Sequence, residues 1–362
     1  MNAVGLIRSD IAAMEPYIPI FPFDVLAARL GRDPNDIVKL DANENPYGTS
    51  PRVRAALADL CYTHIYPDPE SRALRAALAD FTGLPSDLLL AGAGADELID
   101  LIMRLFIQPG DAVLDCPPTF GMYAFDASIA GARAISAPRR PNFAVDLDAV
   151  QEAIGQHRPK LLFLTSPNNP DGGWLSDADL ERLLALPLVI VLDEAYVEFA
   201  GRERSRIRWV LDHDNLIVLR TFSKWAGLAG LRVGYGAFPA ALMPHLWKIK
   251  QPYNVSVAAS TAAIAALEDL AWLEQNVARI VKERARLVQR LAEVPYLRPF
   301  PSQANFILCQ VVGRSALQLK KVLEQEGILV RYFNKPGLND HIRISVGKPA
   351  ETDALIDILR RL

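Results

Sequence analysis

Six short segments constrain this chain most. "DAVLDC" (111–116), "ARAISA" (132–137), "KLLFLTS" (160–166), "LVIVLDEAY" (188–196), "LIVLRTFS" (216–223) and "RVGYGAF" (232–238) are apolar nearly end to end. They are rich in Val, Ile and Leu, and helical patterns separate them. A strand that does not alternate apolar with polar residues is buried on both faces. The segments therefore predict a mainly parallel sheet covered by helices. "RVRAALADL" and "SRALRAALADFTG" predict helices ahead of this run, with Gly83 as the stop of the second. In such sheets ligand sites gather where strands end and loops begin.

The pattern changes after about residue 255. "AASTAAIAALEDLAWLEQNVARIVKERARLVQRLAEV" predicts a long helical stretch broken near Glu268-Asp269. "ANFILCQV", a helix near 315–326, "ILVRYF", "HIRISVG" and a final helix "AETDALIDILRRL" follow, which together predict a compact α+β unit. Pro16, Pro19 and Pro22 mark the first 45 residues as an arm with a short helix. The expected division is an arm (1–45), a large α/β domain (46–255) and a small C-terminal domain (256–362), with a ligand site where the last two meet.

Composition narrows the function. A net charge of −3 provides no basic field for nucleic acid. Cys61, Cys116 and Cys309 are too scattered for a disulfide framework and suit a reducing cytoplasm. No run reaches the roughly 18 apolar residues of a membrane span, and the N-terminus does not read as a signal peptide. The histidines at 64, 157, 213, 245 and 341 lack metal-ligand spacing, so no metal is expected.

Four stretches carry candidate chemistry. "VIVLDEAYVEF" ends an apolar strand in Asp193, either a structural cap or an anion held for a ring nitrogen. "FLTSPNNPDGG" is a turn that either only turns or also presents the Asn169 amide at a strand end. "LLLAGAGADELIDLIMRLF" reads as strand, Gly-rich turn and helix. It lacks the third glycine of a dinucleotide fingerprint. Its turn at Gly94-Ala95-Asp96 is either an ordinary capped helix start or a phosphate cradle. "RTFSKWAGLAGLRVGYG" places Ser223, Lys224 and Arg232 among four glycines. A lysine whose pKa is depressed forms Schiff bases, and Ser and Arg bind phosphate.

Pyridoxal 5'-phosphate has both an aldehyde and a phosphate, and it accounts for the other stretches too. Its ring nitrogen needs a carboxylate, which Asp193 can supply. Asn169 and Tyr196 can serve its phenolic oxygen, Phe120 of "PPTFGMY" can stack on its ring, and Ala95-Asp96 can meet its phosphate.

With these residues the chain resembles the pyridoxal-phosphate aminotransferases of fold type I, over nearly its whole length. "LDANENPYG", "YPDPESRALRAALA", "GAGADELIDLI", "PPTFGMY", "SPNNPDG", "DEAYVEF", "RTFSKWAGLAGLRVGYG", "KQPYNVS" and "IRISVG" are similar to motifs of the histidinol-phosphate aminotransferase branch. The resemblance implies a mainly parallel seven-stranded sheet and a small α+β domain. It implies that Lys224 forms the Schiff base and shuttles the proton. Asp193 would hold the ring nitrogen, Asn169 and Tyr196 the phenolic oxygen, and Phe120 the ring. Ser223, Arg232 and the Ala95-Asp96 amides would hold the phosphate. Tyr66 would reach across a homodimer interface to the partner's cofactor phosphate. Arg343 and Arg331 would grip anionic substrate groups, and Tyr17, Asn43 and Tyr253 would line the pocket. The implied reaction exchanges an amino group between histidinol phosphate and 2-oxoglutarate, in histidine biosynthesis. The alternatives are an aromatic amino-acid aminotransferase and a threonine-phosphate decarboxylase.

Three positions depart from the branch. Phe120 replaces the tyrosine of many relatives, Asp171 replaces a threonine in a turn where little effect is expected, and Trp225 takes the place of a smaller residue.

Overall fold

The computed structural model describes residues 2–16 and 23–362; Tyr17 lies outside them. Among the described residues twelve strands form two sheets. Those of the larger sheet are β2 (Leu89–Gly92), β3 (Ala112–Asp115), β4 (Arg133–Ser136), β5 (Leu161–Thr165), β6 (Val189–Asp193), β7 (Leu216–Thr221) and β8 (Gly234–Ala237). Their order is β2-β8-β7-β6-β5-β3-β4, and β8 alone runs antiparallel to its neighbours.

Both faces of this sheet are buried, as its apolar strands predict. Leu162, Leu164, Ile190, Leu192 and Val218 pack into one core layer. Leu161, Phe163, Val191, Ile217 and Leu219, one step out of phase, pack into the other against Leu98, Ile99 and Ile102 of the helix Ala95–Phe106. Each fully buried side chain of this size contributes about 1.5–3 kcal/mol of hydrophobic stabilisation. β4 departs from the expectation. It is an edge strand paired only to β3, and Arg133, Ala134 and Ser136 are exposed.

The smaller sheet comprises β1 (Val38–Leu40), β9 (Leu297–Pro299), β10 (Phe306–Val311), β11 (Ile328–Tyr332) and β12 (His341–Ser345), in the order β1-β11-β12-β10-β9. Sequence pattern missed β1 and β9 because three residues are too few to show a period. β1 pairs in parallel with β11, so the expected arm contributes a strand to the C-terminal sheet. The long helical stretch divides at Glu268 and Asp269, into Val257–Leu267 and Leu270–Ala292. The first of these packs on the helices Pro51–Ala58 and Arg72–Thr82, which precede the large sheet. Its alanine-rich surface permits that close approach. The chain thus crosses between the two parts twice, once at each end of the large sheet. Among the described residues no helix is long and apolar enough to cross a membrane.

Candidate active site

Parallel register sets Thr165 at the end of β5 beside Asp193 at the end of β6, and β7 brings Thr221 to the same edge. A cavity of about 400 Å³ opens there, lined by all three residues and by Lys224. This is the strand-end position where open α/β sheets bind ligands.

Asp193 is 4% exposed. One carboxylate oxygen, Oδ2, accepts from the Tyr123 hydroxyl at 2.7 Å, and the other, Oδ1, accepts from the Ala195 N–H at 2.9 Å. Burial pushes its pKa up to about 6, against the pull of these two donors. The site therefore favours a cation placed against Asp193. Lys224 Nζ also lines the cavity and donates to the Ala42 carbonyl at 3.2 Å. Burial lowers its pKa to about 8, and the positive charge of Arg343 acts in the same direction. A lysine so placed is neutral often enough at moderate pH to be a nucleophile and a base.

At the opposite wall the helix Ala95–Phe106 begins at Gly94, with no side chain capping its first N–H groups. Asp96 instead pairs with Arg232 Nη2 at 2.9 Å, and Glu97 accepts from the Ala93 N–H and from Asn254 Nδ2. The first turn therefore points free donors and a positive dipole end into the cavity, beside a guanidinium. Two glycines permit this geometry. A Cβ on Gly234 would lie 2.6 Å from the Ala95 nitrogen, and one on Gly94 (φ +85°) would lie 2.7 Å from Arg232 Nη2. Ser223 stands next to them. Thr221 donates to the Ser223 oxygen at 2.9 Å, which leaves the Ser223 proton for another acceptor.

Hydrogen-bond direction can be assigned for two more side chains. Arg343 Nη1 lies 2.5 Å from Asn169 Oδ1; a guanidinium only donates, so the amide nitrogen of Asn169 is the group left for the cavity. The Tyr196 hydroxyl accepts from Asn43 Nδ2 at 3.1 Å, so its own proton is available to the cavity that it lines. Asn43 is buried, with φ +56°, and all its polar groups are engaged. Its N–H donates to Ser345, its Oδ1 accepts from Ser345, and its carbonyl accepts from Asn305. Asn43 thus stands behind Tyr196 rather than on the cavity wall. Phe120 lines the cavity and packs edge-on against Tyr123, with ring centroids 5.5 Å apart.

Arg331 sits opposite Arg343 in the register of β11 and β12, and neither lines the cavity, although Arg343 touches its wall through Asn169. Tyr66 and Tyr253 are elsewhere too. Tyr66 is 80% exposed, and its ring stacks on Tyr253 at 4.7 Å, where both line a second cavity of about 410 Å³.

The two unexplained departures resolve differently. Trp225 turns away from the cavity into the core, stacked on Phe81 (5.5 Å) and Phe222 (5.9 Å). Asp171, expected to matter little, is buried; it accepts from Asn168 Nδ2 and from the Gly173 N–H and so braces the "SPNNPDG" turn. The turn faces inward, which is why the Asp171 carboxylate is enclosed. Sequence reading also passed over Tyr123 and Thr165. Both stood in quoted motifs, but only the fold brings them to Asp193.

Comparison with known proteins is consistent along the whole chain. Residues 35–359 match the family described as aminotransferase class I and II. The chloroplastic histidinol-phosphate aminotransferase of Nicotiana plumbaginifolia is 56% identical over 357 residues, covering 98% of this chain and 86% of that protein. The histidinol-phosphate aminotransferase of Roseiflexus castenholzii is 54% identical, covering 100% of this chain and 99% of that one. Among solved structures, histidinol-phosphate aminotransferase from Sinorhizobium meliloti in complex with pyridoxal-5'-phosphate superposes with a TM-score of 0.88. It is 31% identical, over 98% of this chain and 96% of that one.

Proposed function

This chain belongs to the family of class I and II aminotransferases, and from that premise we propose how its cleft works as a histidinol-phosphate aminotransferase. The reaction transfers an amino group reversibly between L-histidinol phosphate and 2-oxoglutarate, giving imidazole-acetol phosphate and L-glutamate, a step of histidine biosynthesis. Its cofactor is pyridoxal 5'-phosphate.

The donor set fits that cofactor. A depressed lysine, a buried carboxylate that favours a cation, and an uncapped helix start beside an arginine converge on one cavity. When bound, the cofactor supplies an electron sink for the substrate carbon that loses its proton. Asp193 would hold the ring nitrogen, and the Asn169 amide and Tyr196 hydroxyl would donate to the phenolic oxygen. Phe120 would cover the ring face. Ser223, Arg232 and the Ala95 and Asp96 amides would take the phosphate. Lys224 Nζ would anchor the cofactor, then remove the proton from the substrate carbon bearing the amino group and return it. Its depressed pKa suits it to both directions.

Substrate anions are assigned to the smaller sheet. Arg331 and Arg343 face each other across β11 and β12, where like charges repel. An anionic substrate group held by both guanidiniums relieves that repulsion, whether carboxylate or phosphate. In this reading Asn43 acts through Tyr196. Residues 46–255 hold the cofactor, and residues 256–362, with the arm of 1–45, complete the substrate side.

The observation that carries the reading is the joint placement of Lys224 and Asp193 in one cavity. Its test is an absorbance spectrum of the cofactor-loaded protein. A visible band should bleach with L-histidinol phosphate alone and return with 2-oxoglutarate. A band that ignores histidinol phosphate and bleaches with phenylalanine would move the substrate to the aromatic amino acids. Absence of any visible band would overturn the role of Lys224.

A homodimer is also proposed, with the exposed Tyr66 and Tyr253 covered by a second copy and Tyr66 reaching the partner's cofactor phosphate. Tyr66→Phe should raise the cofactor dissociation constant about 10- to 150-fold, since a hydrogen bond to a charged group contributes about 1.5–3 kcal/mol. An unchanged constant in a dimeric variant would exclude the shared site. The cytoplasm is the proposed compartment, where the unpaired Cys61, Cys116 and Cys309 stay reduced.

A further inference from the structure

We propose that Tyr123 is a positioning residue that holds the Asp193 carboxylate for the cofactor ring nitrogen, with Thr165 fixing the direction of the Tyr123 hydroxyl. The inference deepens the aminotransferase reading and rests on it.

Proton counting gives the direction. A hydroxyl has one proton. The ionised Asp193 carboxylate can only accept, so the 2.7 Å contact takes the Tyr123 proton. The Tyr123 oxygen also lies 2.8 Å from Thr165 Oγ1, and Thr165 must therefore be the donor there. Thr119 Oγ1 donates to Asn168 Oδ1 at 2.9 Å and could only accept from Thr165, at 3.4 Å; the much shorter 2.8 Å contact to the Tyr123 oxygen takes the Thr165 proton. The result is a one-way series, Thr165 to Tyr123 to Asp193. Each donation polarises the next O–H, so the final bond to the carboxylate is strengthened.

The consequence lies in how Asp193 shares a proton with its partner. The Ala195 N–H and Tyr123 occupy one oxygen each and lock the plane of the carboxylate. They also make it a weaker base, so that a proton between Asp193 and a ring nitrogen stays on the nitrogen. Burial, Asp96 and Glu194 all favour the protonated carboxyl, and Tyr196 is the other titratable group acting on Tyr123. Tyr123 is the nearest side chain opposing that tendency.

Tyr123→Phe isolates the hydroxyl. The Tyr123 ring is fully buried, stacked on Phe163 (4.9 Å) and edge-on to Phe120, and phenylalanine keeps both contacts. The test uses the protein loaded with pyridoxal 5'-phosphate. The visible band is titrated with pH, and kcat and KM are measured for L-histidinol phosphate. The expected result is a band midpoint raised by about one pH unit, because a less firmly protonated ring nitrogen repels nearby protons less. kcat should fall about 10- to 100-fold with KM within about twofold. Thr165→Val should shift the midpoint in the same direction by less, and Thr165→Ser, which keeps the donor, should restore it. An unshifted midpoint in folded Tyr123→Phe overturns the inference while the wild-type band still supports the cofactor reading. If Tyr123→Phe does not fold, an unshifted midpoint in Thr165→Val overturns it. If the wild type forms no band, the cofactor reading itself fails.

Discussion

Lys224→Ala is expected to lower turnover by at least about 10⁴-fold while leaving the chain folded, because one side chain is both the anchoring amine and the proton carrier. A second effect separates this from general damage. Lys224 titrates near pH 8 in the folded chain against 10.5 ordinarily. A lysine with a lowered folded pKa binds its proton less tightly in the folded chain than in the unfolded one, so below pH 8 the fold must carry a buried ammonium. That costs the cofactor-free protein about 3 kcal/mol below pH 8, and the cost disappears as pH rises from 8 to 10.5. Cofactor-free Lys224→Ala should therefore unfold at a higher temperature than wild type at pH 7, with the difference closing by about pH 10.5. Thermal unfolding across that range checks it. Transamination within about a hundredfold of wild type would remove Lys224 from its role. An equal difference at every pH would mean that the lysine is not held in a desolvated place.

The larger sheet was readable because burial on both faces leaves its mark on every residue of a strand. "KLLFLTS" and "LVIVLDEAY" needed no partner to be recognised. β1 and β9 were not readable, since "VKL" and "LRP" take their meaning from β11 and β10 alongside. The same division holds in the site. Lys224, Asp193 and Asn169 end or follow apolar strands, and the position marks them. Tyr123 and Thr165 matter through contacts spanning 70 and 42 residues of chain, from Tyr123 to Asp193 and to Thr165, which no local pattern encodes. Asn43 looked like a pocket residue and lies behind Tyr196, because its left-handed backbone turns its side chain into the Ser345 and Asn305 network. Asp171 looked like a spare turn residue, yet its burial depends on how that turn packs.

Asp193→Asn should produce opposite changes in the cofactor-free and cofactor-loaded protein. In the cofactor-free chain burial lifts the carboxyl from 3.8 to about 6. A raised carboxyl pKa means that the folded state binds the proton more tightly, so stability falls as pH rises from about 4 to 6. At neutral pH the ionised Asp193 then costs about 3 kcal/mol. Asparagine preserves the shape and removes that charge, so the cofactor-free variant should unfold at a higher temperature at pH 7, with the advantage vanishing near pH 4. A protonated ring nitrogen against Asp193 reverses the balance, because the buried anion then has its cation. Cofactor should accordingly raise the unfolding temperature of wild type much more than that of Asp193→Asn. Turnover should fall about 10²- to 10³-fold, the usual loss when one fixed electrostatic partner of the reacting system is removed. Equal stabilisation of both proteins by cofactor would place the ring nitrogen away from Asp193. The Tyr123 and Thr165 series would then have no reacting group to position, although the lysine chemistry would stand.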